Sequence, residues 1–162
     1  WINRILSWEP NARIVLHGVS MGAATVLMAS GEDLPGNVKA VIADCGYTSE
    51  WDEFQREADA LHIPWFPVLN ATSVLSKIRD GYDFKQASAL AQVKKSRIPT
   101  LFIHGSSDEL VPYSMLGELY AAAACEKEEL TVEGAGHALS SSVAPTLYWR
   151  TVEDFIAKYL DR

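Results

Sequence analysis

The sequence predicts an α/β fold: a mostly parallel sheet flanked by helices, with a helical cap inserted into it. Three observations carry this. Four short apolar runs lie at 13–17, 38–43, 100–104 and 129–132. Mostly they lack strict alternation, which suits strands buried on both faces. Between and after them, apolar residues recur at helical spacing, and a repeated strand–helix order implies right-handed crossovers to a parallel sheet. The interval 48–97 breaks this rhythm and is rich in aromatic residues.

The elements follow in order. Trp1, Ile5 and Trp8, and also Ile2 and Leu6, recur at helical spacing, so the chain opens inside an amphipathic helix with no Met or capping residue ahead of it. The first run, 13–17, ends at Gly18 and is followed by a helix over 21–30. The second, 38–43, ends at Asp44. The interval 48–97 carries Trp51, Phe54, Leu61, Trp65, Phe66 and Leu69, with Pro64 and Pro67 as interruptions. That is too apolar for a linker and reads as the cap. The third run, 100–104, ends at Gly105, and a helix is expected over 112–125, with Pro112 in its first turn. The fourth, 129–132, ends at Gly134. A last helix over 145–160 has Val152, Phe155, Ile156 and Tyr159 as its apolar stripe.

Composition bounds the function. The chain has 162 residues, 48% apolar and 22% charged, enough for one packed domain and too apolar for a disordered chain. A formal charge of −7, from 21 acids and 14 bases, argues against a nucleic-acid partner. The basic run Lys94-Lys95-Ser96-Arg97 reads as a solvated loop. No apolar stretch approaches the ~20 residues of a membrane span. Two cysteines, Cys45 and Cys125, could form at most one bridge and read as free thiols. The four histidines show no metal-ligand spacing, and the one Gly-x-x-x-x-Gly arrangement, Gly31 to Gly36, lacks a following Lys-Ser/Thr. No cofactor and no metal are expected.

The chemistry-bearing motif is Gly18-Val19-Ser20-Met21-Gly22, which follows a strand and opens a helix. A serine at such a turn adopts a strained backbone and presents its hydroxyl above the sheet. Side chains two positions away on either side are expected to collide, hence glycine at both. The Met21 amide then faces the place where an oxyanion would form. The competing reading is a capping serine at an ordinary helix start. A nucleophilic serine needs a base and the base an orienting acid. Asp108 and His137 follow the third and fourth runs, so all three lie past the C-terminal ends of parallel strands, where open α/β sheets place their sites. The chain order Ser20, Asp108, His137 matches the order expected for this elbow. Asp44, at another strand end, is the alternative acid. His17 and His104 read as structural, His62 as a surface residue of the cap. Glu50, Asp52 and Glu53 read as exposed acids, with recognition of a substrate amine as the alternative. Trp65 and Phe66 are candidates for a substrate pocket, against the simpler reading of cap packing.

The segments HGVSMGAAT, HGSSDELVP and GAGH resemble the C-terminal part of an α/β-hydrolase. With DCGYTS and YWRTVEDFIAKYL, the chain is more narrowly similar to bacterial BEM46-like and serine-aminopeptidase-like hydrolases. The resemblance covers essentially the whole chain. It implies Ser20 as nucleophile, His137 as general base and Asp108 as the acid fixing the imidazole. The expected activity is a cofactor-free serine hydrolase acting on a small-molecule ester or acyl substrate, with a serine peptidase of the aminopeptidase type or a hydrolase-like fragment that binds without catalysis as alternatives. The resemblance also implies strands ahead of the Ser20 strand and a second oxyanion donor that have no counterpart here. The expectation is a C-terminal portion of a longer protein, whose first strand pairs with a preceding segment or self-associates through its bare edge.

Overall fold

A computed structural model describes residues 1–160. A short helix α1 (Ile2–Trp8) precedes β1 (Ile14–Val19), α2 (Met21–Ser30) and β2 (Val38–Asp44). Helices α3 (Glu50–Ala60), α4 (Trp65–Asp80) and α5 (Ala89–Val93) separate β2 from β3 (Thr100–Gly105). Then come α6 (Ser114–Ala122), β4 (Lys127–Val132), α7 (Ser140–Val143) and α8 (Pro145–Leu160). The strands form one four-stranded sheet in the order β1-β2-β3-β4, with parallel pairing throughout. This is the parallel sheet flanked by helices that the sequence predicts.

The alternation of side chains along each strand divides two cores. Val41 and Ala43 of β2 and Phe102 of β3 face one side, where Ala23 and Leu27 of α2, Val93 of α5 and Leu119 of α6 cover them. Ala40, Ile42, Leu101 and Ile103 face the other, where Tyr148, Val152, Phe155 and Tyr159 of α8 close the layer. Both faces of β2 and β3 are thus buried, which is why their sequences read as continuous apolar runs. β4 differs: it starts two residues earlier than its apolar run, with Lys127 donating to the carbonyls of Tyr120 (2.6 Å) and Ala123 (2.9 Å). A polar start suits an edge strand. At the other edge, β1 pairs only with β2 among the described residues. Trp1 and Trp8, flanking and ending α1, and Val19 at the end of β1 are exposed.

The helix expected over 112–125 is shorter. Pro112 lies in the preceding turn, its carbonyl accepting from the Met115 amide (2.9 Å), and Ala123 is already extended. Within 48–97, α3 and α4 pack on each other, while Ala89 and Val93 of α5 belong to the main core. Ser49 caps α3 by accepting from the Asp52 amide (3.1 Å), and its hydroxyl donates to the Asp52 carboxylate (2.6 Å). α4 ends at Gly81, whose φ of 85° is the left-handed stop that glycine favours. The chain enters and leaves the α3–α4 segment through one pinch. Ser49 and Ser88 form an isolated antiparallel bridge, and the Glu50 amide donates to the Ala87 carbonyl (3.0 Å).

Candidate active site

Ser20 sits between β1 and α2 with φ 56° and ψ −119°, a conformation that L residues adopt rarely. Its amide donates to the Asp44 carbonyl (2.8 Å), which ties the turn to β2. The turn requires Gly18: a Cβ there would stand 2.1 Å from the Gly22 carbonyl oxygen. The matching expectation for Gly22 is corrected, because a Cβ there would meet nothing within 4 Å. The collision is one-sided: the backbone of Gly22 is the obstacle, while a Cβ on Gly22 itself would stand in open space. The Ser20 hydroxyl makes no capping bond to α2, so the capping-serine reading is set aside. Instead Ser20 Oγ lies 2.7 Å from His137 Nε2. The Met21 amide, at the first position of α2, has no intrahelical carbonyl to bond.

Asp108 follows β3 in a turn that surrounds its carboxylate. Oδ1 accepts from the amides of Leu110 (3.0 Å) and Val111 (2.9 Å). Oδ2 lies 2.9 Å from His137 Nδ1. The Asp108 side chain is fully covered, while that of His137 is 20% exposed. Because the carboxylate accepts, Nδ1 carries the proton and Nε2 is left as the acceptor for the Ser20 hydroxyl. Gly105 makes room for this: a Cβ there would lie 2.2 Å from the Ala135 carbonyl oxygen, in the turn that holds His137. The structure therefore joins Ser20, His137 and Asp108 in one hydrogen-bonded row.

Other polar residues stand around the row. His104, buried at the end of β3, places Nε2 3.0 Å from the Val111 carbonyl and 3.3 Å from Asp108 Oδ2. A carbonyl only accepts, so this Nε2 carries a proton, and it faces the same Asp108 oxygen as His137. Asp44 points elsewhere. It accepts from Ser140 Oγ (3.1 Å) and bonds the Tyr148 hydroxyl, which in turn lies 3.0 Å from His17 Nε2. Burial pushes the Asp44 carboxyl above its usual range, partly offset by these donors. Sequence reading missed the Tyr148 link, and it missed the contact of His104 with Asp108, although the four-residue spacing of the latter pair was its signal.

In the α3–α4 segment, Trp65 is half-buried and Phe66 is 67% exposed, with their rings edge-on at 6.4 Å. His62 is exposed. Asp52 is exposed as expected, but Glu50 and Glu53 are corrected: each is partly covered, with one carboxylate oxygen buried and unpartnered among the described residues. Burial raises Glu50 from its ordinary range, and Glu50 and Glu53 together, after burial, help push the Tyr47 hydroxyl up to about 12.

The prolyl oligopeptidase family matches residues 7–162. The chain belongs to the prolyl oligopeptidase family. An uncharacterized Bacillus subtilis protein, YqkD, is 31% identical over 96% of this chain and 53% of its own length. The Arabidopsis thaliana α/β-hydrolase domain-containing protein WAV2 is 30% identical over 91% of this chain and 48% of its own. The chain spans about half the length of these curated relatives. Among solved structures, a Pyrococcus furiosus esterase superposes with a TM-score of 0.73 at 19% identity, covering 98% of this chain and 59% of the esterase. The Pyrococcus horikoshii acylaminoacyl peptidase gives 0.70 at 18% identity, covering 98% of this chain and 26% of the peptidase. These likenesses fix the α/β-hydrolase fold of this prolyl oligopeptidase family chain.

Proposed function

We propose that this chain carries the catalytic row of a serine hydrolase that cleaves carboxylic esters through an acyl-enzyme. Ser20 Oγ attacks the carbonyl carbon as His137 Nε2 takes its proton. The Met21 amide donates to the oxyanion. His137 then returns the proton to the leaving alkoxide oxygen, and a water repeats the sequence to free the acid. Asp108 holds the Nδ1 proton and balances the imidazolium charge. General-base catalysis of this kind contributes roughly 10²–10⁴-fold. The observation that supports the reading most is a serine at a helix start whose hydroxyl bonds an imidazole 117 residues away rather than its own helix.

A second reading, hydrolysis of peptide bonds next to a free amine, draws on the family itself. Trp65 and Phe66 remain proposed as pocket residues under either reading. The test is a fluorophosphonate probe, which phosphonylates an activated serine. Labelling of the wild type and none of Ser20→Ala is expected; equal labelling of both would refute the assignment. A panel of p-nitrophenyl esters against aminoacyl anilides then separates ester from peptide cleavage.

A further inference from the structure

Cys45 has no part in the hydrolytic reading, yet it lies against the row. Its sulfur, a carboxylate oxygen of Asp108 and a ring nitrogen of His137 all lie within 4.8 Å of one another. Cys45 follows β2 with φ 48°, and its amide donates to the Ile103 carbonyl (2.8 Å). The amides of Ser20 and Ala138 bear on its sulfur. Those two residues also have positive φ, 56° and 58°. Three non-glycine residues in the left-handed region therefore converge on one thiol, an arrangement that the surrounding fold must hold against local preference. Burial and the nearby Asp44 charge push the thiol up to about 12. A thiophilic cation displaces a thiol's proton as it binds.

Thiolate, imidazole and carboxylate are the donors Zn²⁺ takes, at roughly 2.0–2.3 Å each, which places tetrahedral donors about 3.5 Å apart. The three donors already lie within 4.8 Å of one another and must close to that spacing on binding, and the negative charges of Asp44 and Asp108 favour a cation there. We propose that Cys45, Asp108 and His137 form an inhibitory site for a divalent thiophilic cation of the Zn²⁺ class. The proposal rests on His137 as general base only for its effect on turnover. Binding forms S–metal, N–metal and O–metal bonds and releases the Cys45 thiol proton to solvent. If His137 offers Nδ1, the imidazole proton moves to Nε2, which can no longer accept from Ser20. If it offers Nε2, the bond to Ser20 is broken directly. Either way the hydrolytic row is disabled, and a chelator restores it.

The test uses the full chain in a Cys125→Ser background, which leaves one thiol. Cd²⁺ is titrated while the ultraviolet thiolate-to-Cd²⁺ charge-transfer band is followed. Zn²⁺ is titrated while p-nitrophenyl ester hydrolysis is followed, each variant read against its own metal-free rate. The band is expected with Cys45 present, including in Ser20→Ala, and lost in Cys45→Ser and Cys45→Ala. The Zn²⁺ midpoint for inhibition should rise at least about tenfold in both Cys45 variants, since even outer-sphere partners are worth ~10–100-fold in metal affinity. No band with Cys45 present, or unchanged inhibition in the Cys45 variants, overturns the site. Should those variants misfold, X-ray absorption of the Zn²⁺-loaded Cys125→Ser chain decides: one sulfur ligand supports the site, and a shell of oxygen and nitrogen alone overturns it. If Ser20-dependent hydrolysis is absent, the hydrolase reading fails while the Cd²⁺ band and absorption still judge the metal site.

Discussion

Replacing Gly18 with alanine should damage the Ser20 turn far more than the same change at Gly22. The added Cβ at Gly18 would stand 2.1 Å from the Gly22 carbonyl oxygen and 2.2 Å from its carbon, where real Cβ contacts essentially never fall below 3.0 Å. Relief requires 3.0 − 2.1 = 0.9 Å of movement at the least. Both obstacles are backbone atoms of α2, so no side chain can swing aside. The movement falls on the turn that holds Ser20 Oγ 2.7 Å from His137 Nε2. A misplacement of about 1 Å can cost 10²-fold in rate, and overpacking of this kind costs roughly 1–3 kcal/mol of stability. Gly22→Ala meets open space in a helix, where alanine is favoured over glycine by about 0.5–1 kcal/mol. Fluorophosphonate labelling rates and urea denaturation of the two variants provide the measurement. Gly18→Ala should label on the order of a hundred times more slowly and unfold earlier, with Gly22→Ala close to wild type in both. Equal damage from the two variants would refute the one-sided collision.

Asp108→Asn should keep the fold but lower ester turnover by roughly 10⁴-fold, because the amide no longer favours the Nδ1–H tautomer of His137; a loss of less than tenfold in steady-state rate would remove Asp108 from its role. Asp44→Asn should stabilise the chain at neutral pH. Burial raises the Asp44 carboxyl in the folded state, so the folded chain holds this proton more tightly and loses stability as pH rises through that window. The advantage of asparagine should vanish below the ordinary carboxylate range, as read by denaturation at acidic and neutral pH. Phe155, 1% exposed between α8 and the sheet, should cost about 3–5 kcal/mol on truncation to alanine, measured by the same denaturation. The β1 edge, paired only with β2 among the described residues, should drive association of the chain when it is studied alone. Light scattering that reports a stable monomer would count against this.

The residues that could be read from sequence are those whose constraint is local. Ser20 announces itself because a strand, a glycine turn and a helix follow one another within a few positions. β2 and β3 announce themselves because both of their faces are covered. What escaped depends on contacts between distant segments. Cys45 looked like an inert small side chain, and only the packing of the β2 end against the His137 turn brings it to Asp108. The link from His17 through Tyr148 to Asp44 joins β1, α8 and β2, and no spacing rule encodes it. Glu50 and Glu53 read as solvent-facing because acids usually are, while the placement of α3 covers one oxygen of each. Pro112 fitted a first helical turn by its chemistry, but the Asp108 turn takes up the residues ahead of Ser114.

The bridge between Ser49 and Ser88 gives the segment from α3 to α4 a narrow neck. Its two ends are stitched together just after β2, so a change of length between them need not propagate into the sheet. Such a neck marks the two cuts between which a foreign segment is best grafted.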